Sequence, residues 1–361
     1  MRVLAFGTYQ RDYPRNAQVR SCLRGAGVEV YERHVDVWDG RREAWAAGPA
    51  TAARLAFAEA RLAGGRREPA DALLVGYPGH PDLPAARIAA RGRPVVFDPL
   101  VSLYDTLVED RGRFARTSLA GRTLRRIDRA AFSAADVVVA DTAAQGSYYA
   151  DRLGVDRSKL RVCFVGAEDR LFHPAPPTTE SGSHPFTALF VGKLIPLHGL
   201  ETILDAARLA PEIAFRIVGS GQLEPSLARA TANVTRVPWV EYEALPTAIR
   251  TAGCALGVFA TSDKAARVIP NKAYQALACG TPLVTADTPA SRELLTADHD
   301  AVLVPPGDPD ALAQAVRELA NDGQRAELIG AAGRTTYETH ASEAVLGPRW
   351  RSIFEEVVAA R

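Results

Sequence analysis

The chain has 361 residues, 47% of them hydrophobic, with 43 basic and 42 acidic side chains and a formal net charge of +1. That length exceeds the size at which one core stops growing, so two domains are expected, and the composition excludes a disordered chain. No apolar run approaches the roughly 18 residues that a membrane span needs. The total hides an asymmetry: residues 1–175 carry 27 basic and 21 acidic residues, leaving 16 and 21 for the remainder. Opposite balances fit two domains facing each other.

The opening stretch MRVLAFGTYQRDYPRN has too few apolar residues before Arg11 for a signal peptide and reads as a strand entering a loop. Apolar runs then recur in chain order: VLAFG (3–7), VEVYE (28–32), ALLVGY (72–77), PVVFD (94–98), VVVAD (137–141) and RVCFVG (161–166). A second set follows: TALFVG (187–192), FRIVGS (215–220), VTRVPW (234–239), CALGVF (254–259), PLVTAD (282–287) and AVLVP (301–305). Helix-like segments such as GLETILDAARLA (199–210) and DALAQAVRELAND (310–322) lie between them. Strand–helix alternation of this kind predicts parallel sheets covered by helices, and it occurs twice.

The expected organisation is therefore α/β, with two doubly wound Rossmann-like domains facing across a cleft. The first spans 1–172 and the second 186–345. HPAPPTTESGSHP (173–185), with four prolines and no apolar periodicity, reads as the linker. The terminal segment 346–361 reads as a helix packing back on the first domain. Four scattered cysteines without metal-ligand spacing read as reduced core residues in a cytoplasmic protein.

Ligands in open parallel sheets bind beyond the carboxyl ends of the strands, so the loops that follow the strands carry the argument. In the second half, Gly192 permits close backbone approach, and Lys193 and His198 bracket a loop that enters a helix, a setting suited to an anion. In VIPNKAYQALACGTPLVTAD (268–287), Pro270 suits the first helical position and Gly280 the residue past the end. Lys272 then falls in the first turn, where a cation opposes the helix dipole unless an anion is bound. Only four lysines occur among the 43 basic residues, and Lys193, Lys264 and Lys272 all fall near these loops. Lysine is a compact point charge where arginine is a planar fork, so the choice points to phosphate, although the two also interchange on solvated loops.

FVGKLIPLHGLETILDA, FRIVGSG, RVPWVEYEALPTAIRTAGCALGVF and VIPNKAYQALACGTPLVTADTPASREL resemble, in order and spacing, the nucleotide-binding domain of family 4 glycosyltransferases, which have the two-domain GT-B fold. VCFVGAEDRLFHP (162–174) resembles the family's crossing into that domain. GTYQRDYPRN (7–16), GYPGHPDLP (76–84) and FDPLVSLYDTLVEDR (97–111) resemble the first domain of one bacterial branch. The resemblance implies retaining transfer of a sugar from a UDP-, GDP- or dTDP-linked donor to a hydroxyl or amine, with no metal and no other cofactor. It assigns Gly192, Lys193, His198 and Lys272 to the donor diphosphate. Gln275 falls at the second glutamate of the family's E-x7-E motif, with Arg267 eight residues earlier where the first would stand. Arg267, Asn271 and Gln275 are thus expected at the ribose and sugar, in a loop more cationic than the family norm. Trp239 and Val240 match the base-binding loop, where Trp239 suits either stacking on the base or packing in the interdomain wall.

In the first domain Tyr9, Arg11, Arg15, Asn16 and Asp105 are expected at the acceptor. His80 and Asp98 are alternatives for the group beside the reacting sugar, and Lys193 completes the expected catalytic set. The run RGRFARTSLAGRTLRRIDR (111–129) holds seven arginines and one acid; it fits a solvated helix face, an acidic acceptor or carrier, or peripheral contact with the inner face of a membrane. No nucleic-acid motif accompanies it. The acceptor is expected to be a natural product, a glycan or a lipid precursor, and the protein a monomer or homodimer. The arginine-rich composition fits a high-GC genome such as an actinobacterium. Two alternatives share the fold: a sugar-nucleotide epimerase or hydrolase, and a catalytically silent nucleotide-sugar-binding protein. Gly219-Ser220-Gly221 lacks the third glycine of a dinucleotide fingerprint, which argues against an NAD-dependent oxidoreductase.

Overall fold

The computed structural model describes residues 1–38, 49–175 and 185–361; most of the proline-rich run, 176–184, lies outside them. The chain divides into two compact units, Met1–Phe164 with Glu343–Arg361, and Val165–Ser342.

In the first unit β1 (Arg2–Gly7), β2 (Glu29–His34), β3 (Ala72–Val75), β4 (Val95–Phe97), β5 (Val137–Ala140) and β6 (Leu160–Val162) form a parallel sheet in the order β2-β1-β3-β4-β5-β6. The helices are α1 (Pro14–Gly25), α2 (Pro49–Ala63), α3 (Leu83–Ala90), α4 (Leu119–Ala134) and α5 (Ala143–Tyr148). Central strands such as β3 and β4 are buried at every position, as strands covered on both faces must be. Hence they read as unbroken apolar runs.

The second unit repeats the plan with β7 (Thr187–Val191), α6 (Leu200–Leu209), β8 (Ala214–Val218), β9 (Val234–Val237), α7 (Leu245–Arg250) and β10 (Cys254–Leu256). It continues through α8 (Asn271–Cys279), β11 (Leu283–Ala286), β12 (Val302–Val304), α9 (Pro309–Asn321) and α10 (Gly323–His340). Its strand order is β12-β11-β10-β7-β8-β9, the doubly wound arrangement in which the strand order reverses between β7 and β10.

The terminal helix α11 (Glu343–Ala359) returns to the first unit, where Trp350, Ile353 and Phe354 join Val3, Val19 and Cys22 in one core. Gly347 has no room for a side chain, because a Cβ there would lie 2.8 Å from the Cys22 carbonyl oxygen. The boundary between units falls at Phe164/Val165, earlier than the expected 172/173. Residues 165–172 are claimed by the second unit: the Tyr337 hydroxyl donates to the Ala167 carbonyl, and Phe172 packs edge-on against Tyr242. All four cysteines are buried, and none is in a disulfide.

Candidate functional site

The segments leaving β7 and β10 meet at the reversal point of the second sheet, where open α/β sheets hold ligands. Close backbone packing shapes them. Gly192 has φ 145°, and a Cβ on it would lie 3.0 Å from Lys272 Nζ and 3.4 Å from His198 Cε1. Gly219, at φ 141°, sits so close that its Cβ would fall 1.9 Å from the Gly192 carbonyl oxygen.

Lys272 occupies the first turn of α8 and is 8% exposed. Its Nζ lies 3.7 Å from the Phe190 ring centroid and has no hydrogen-bond partner among the described residues. Burial pushes its ammonium well below the ordinary value. A buried cation at the positive end of a helix is unfavourable twice over, the Phe190 ring face offsets this only in part, and a bound anion relieves both effects. Pro270 caps α8 instead of opening it, whereas Gly280 takes the left-handed position past its end, at φ 71°.

His198 is buried, its ring edge-on to Phe190 at 5.5 Å. Its Nδ1 lies 2.5 Å from the Lys193 carbonyl oxygen. A carbonyl only accepts, so Nδ1 carries the hydrogen and Nε2 holds the lone pair of the neutral ring. His198 therefore donates a charge-assisted bond through Nε2 only when protonated. The Lys193 side chain is exposed. The structure thus gathers Gly192, His198 and Lys272 around Phe190.

The other residues expected at the donor are placed as follows. Arg267, partly exposed, closes a short 3-10 turn (Ala265–Arg267). Asn271 opens α8. Gln275, one turn past Lys272, is buried and faces the Tyr242 hydroxyl together with Glu168; burial and Glu168 raise that phenol. Trp239 is 54% exposed, with its indole N–H donating to Glu241 at 3.2 Å, and Val240 beside it is partly buried.

The first unit departs from expectation at several residues. Arg15, assigned to the acceptor, is fully buried and forked onto Asp98, Nε to Oδ2 at 2.9 Å and NH2 to Oδ1 at 3.1 Å. It also donates to the Phe164 and Cys163 carbonyls at 2.6 and 3.2 Å, and its guanidinium lies over the Trp350 ring. Four of its five N–H groups are used, so Arg15 and Asp98 form an internal strut joining α1, the end of β4 and the exit of β6. Asn16 is likewise consumed by backbone, donating to the Gln10 and Tyr77 carbonyls and accepting from Tyr77 N–H.

His80 is buried between Phe97 and Phe132, with Nε2 3.5 Å from Asp128 Oδ1. Burial lowers its pKa, with Asp128 opposing the shift. Asp128 in turn accepts from the Ser102 hydroxyl and from Leu103 and Tyr104 N–H, fixing the loop beyond β4. Asp105 is buried in the one-turn helix that this loop enters. Tyr9 donates to Glu32 at 2.7 Å, as does Arg11 at 2.9 Å, and Arg24 pairs with the same carboxylate.

Sequence reasoning missed Glu32, Asp128, Phe190, and the acid pair of half-buried Glu59 and buried Asp82. Asp128 had a signal: it is the one acid in an arginine-rich run, and helical periodicity sets it opposite Leu119, Arg122 and Arg126. The acid pair had none, because Glu59 of α2 and Asp82, which caps α3, meet only in the folded unit.

Residues 185–322 match the model for glycosyl transferases group 1, and residues 1–166 match that for the glycosyl transferase 4-like domain. A lipopolysaccharide core biosynthesis glycosyltransferase of Rhizobium meliloti is 23% identical over 52% of this chain and 56% of its own length. A GDP-mannose-dependent phosphatidylinositol monomannoside mannosyltransferase of Corynebacterium glutamicum is 25% identical over 53% of this chain and 54% of its own. The alpha-maltose-1-phosphate synthase of Mycolicibacterium smegmatis is 26% identical, covering 64% and 66%. The chain therefore spans about half to two thirds of the length of the curated relatives it matches.

Among solved structures, sucrose-phosphate synthase from Thermosynechococcus elongatus superposes with a TM-score of 0.74 at 18% identity, covering 100% of this chain and 99% of that one. Anabaena HepE in complex with UDP-glucose gives 0.71 at 15% identity, covering 99% and 100%. The two family matches account for both units in order, and the chain belongs to the family 4 glycosyltransferases of GT-B fold.

Proposed function

We propose that the protein transfers a sugar from a nucleotide-sugar donor to a hydroxyl or amine acceptor, with retention at the anomeric carbon and without a metal ion. The observation that carries the donor site is the buried, unpartnered Lys272 ammonium over Phe190, beside Gly192 and at the mouth of α8. A diphosphate there receives the ammonium and the α8 amides, and a protonated His198 adds a third donor. These groups offset the charge that grows on the leaving nucleoside diphosphate as the glycosidic bond breaks. Exposed Trp239 offers a stacking face for the base, and Arg267, Asn271 and Gln275 border the sugar and ribose. The acceptor class fits a small natural product, a glycan or a lipid-linked precursor.

Calorimetric titration with UDP, GDP, dTDP, CDP and ADP tests this. One clear binder is expected, with binding weakened in Lys272→Met. If none binds the wild-type protein, the donor assignment fails.

A further inference from the structure

Six of the seven arginines of 111–129 are exposed, and Arg111 is partly buried. Ser118 caps α4 by accepting from Gly121 N–H at 3.1 Å. Gly121 lacks a Cβ where one would lie 2.6 Å from the Ala115 carbonyl oxygen, so the preceding arm packs tightly onto the helix. The only acid of the stretch, Asp128, points inward and is consumed by Ser102, Leu103 and Tyr104. The outward face is therefore mainly cationic, with Arg116 lying 3.8 Å from Glu109 just before the stretch. Arg113, Arg122 and Arg126 are exposed and form no ion pair among the described residues.

Large apolar side chains stand among them. Leu119 is 74% exposed, Phe114 41% and Ile127 39%. Along α4 the helical period sets Leu119, Thr123, Ile127 and Ala130 in one stripe, bordered by Arg122, Arg126 and Arg129. A solvated helix face gains nothing from an exposed leucine, isoleucine and phenylalanine. A polyanion site needs only the arginines. An apolar stripe rimmed by arginine matches a surface that is acidic outside and hydrocarbon within.

We propose that the α4 face and the arm before it dock this protein onto an anionic phospholipid bilayer. The arginines meet headgroup phosphates while Leu119, Ile127 and Phe114 enter the acyl boundary. This goes beyond the transfer reading and does not depend on it.

The test is sedimentation of the full chain with vesicles of phosphatidylglycerol and phosphatidylcholine against vesicles of phosphatidylcholine alone. Binding to the first and not the second is expected, weakening with salt. Each arginine is worth roughly a fivefold change in partitioning, so R122Q/R126Q should bind about 25-fold more weakly. Leu119→Ser should weaken binding without altering its salt dependence. Both variants change exposed side chains, and unchanged melting temperatures verify their folds. No binding to acidic vesicles, or binding indifferent to R122Q/R126Q, overturns the proposal. Equal binding of soluble polyphosphate together with indifference to Leu119→Ser also overturns it, in favour of a polyanion site.

Discussion

Lys272→Met separates ligand chemistry from fold stability. Methionine matches the stem of the lysine and can keep a favourable contact with Phe190, where Nζ now lies 3.7 Å from the ring centroid. The substitution removes a buried ammonium that has no hydrogen-bond partner among the described residues. Exchanging buried charge for apolar volume is neutral or stabilising by about 1–4 kcal/mol, and each kcal/mol moves the midpoint of a domain of this size by about 2–4 °C. The ligand-free variant should therefore melt at or above the wild-type temperature. Bound diphosphate loses a charge-assisted contact worth about 1.5–3 kcal/mol, a fall in affinity of roughly 10- to 150-fold.

The pH dependence follows from the same burial. The folded-state pKa of Lys272 lies below its ordinary 10.5, so the unfolded chain binds more protons between the two values. Wild-type stability from this group thus rises with pH toward 10.5, and in Lys272→Met that contribution is absent. A bound anion favours the charged form, so binding at a pH between the folded-state pKa and 10.5 should be accompanied by proton uptake, read as a dependence of binding heat on buffer ionisation. Thermal denaturation and calorimetry check both halves. A variant that melts markedly lower yet binds diphosphate normally would refute the assignment and make Lys272 a structural residue.

Arg15→Met should destabilise the first unit by about 3–5 kcal/mol, because Asp98 is left buried and uncompensated; chemical denaturation reads this, and a smaller loss in R15M/D98N measures the coupling. Gly219→Ala places a Cβ 1.9 Å from the Gly192 carbonyl oxygen at φ 141°, so it should lower the melting temperature and weaken diphosphate binding together, as seen by thermal denaturation and calorimetry. Glu59, pushed up to about 10 mainly by burial and further by Asp82, contributes stability present below its ordinary 4.5 and lost as pH rises through 10. Glu59→Gln should therefore hold its melting temperature between about pH 7 and 10 better than the wild type, and equal slopes would contradict the shared proton.

Period and punctuation in the sequence determined the α/β repeat. β3 and β4 are buried on both faces and so appear as uninterrupted apolar runs, and Gly280 ends α8 where its left-handed turn is needed. The ordered motifs also made the family legible, since the stretch from FVGKLIPLHG to PNKAYQALACG keeps a backbone geometry that only glycine and short loops permit. Lys272 drew notice as a cation in the wrong helical turn, but its seat over Phe190 and its lack of a partner are tertiary facts. Arg15 and Asp98 stand 83 positions apart, and no local rule distinguishes a strut from an acceptor site. Tyr9, Arg11 and Arg24 likewise converge on Glu32 only after β1 and β2 pair. Local pattern records which face of an element is buried, because period and burial are properties of consecutive residues. Which buried charges find each other is set by the distance left between elements once the sheet has closed over its helices.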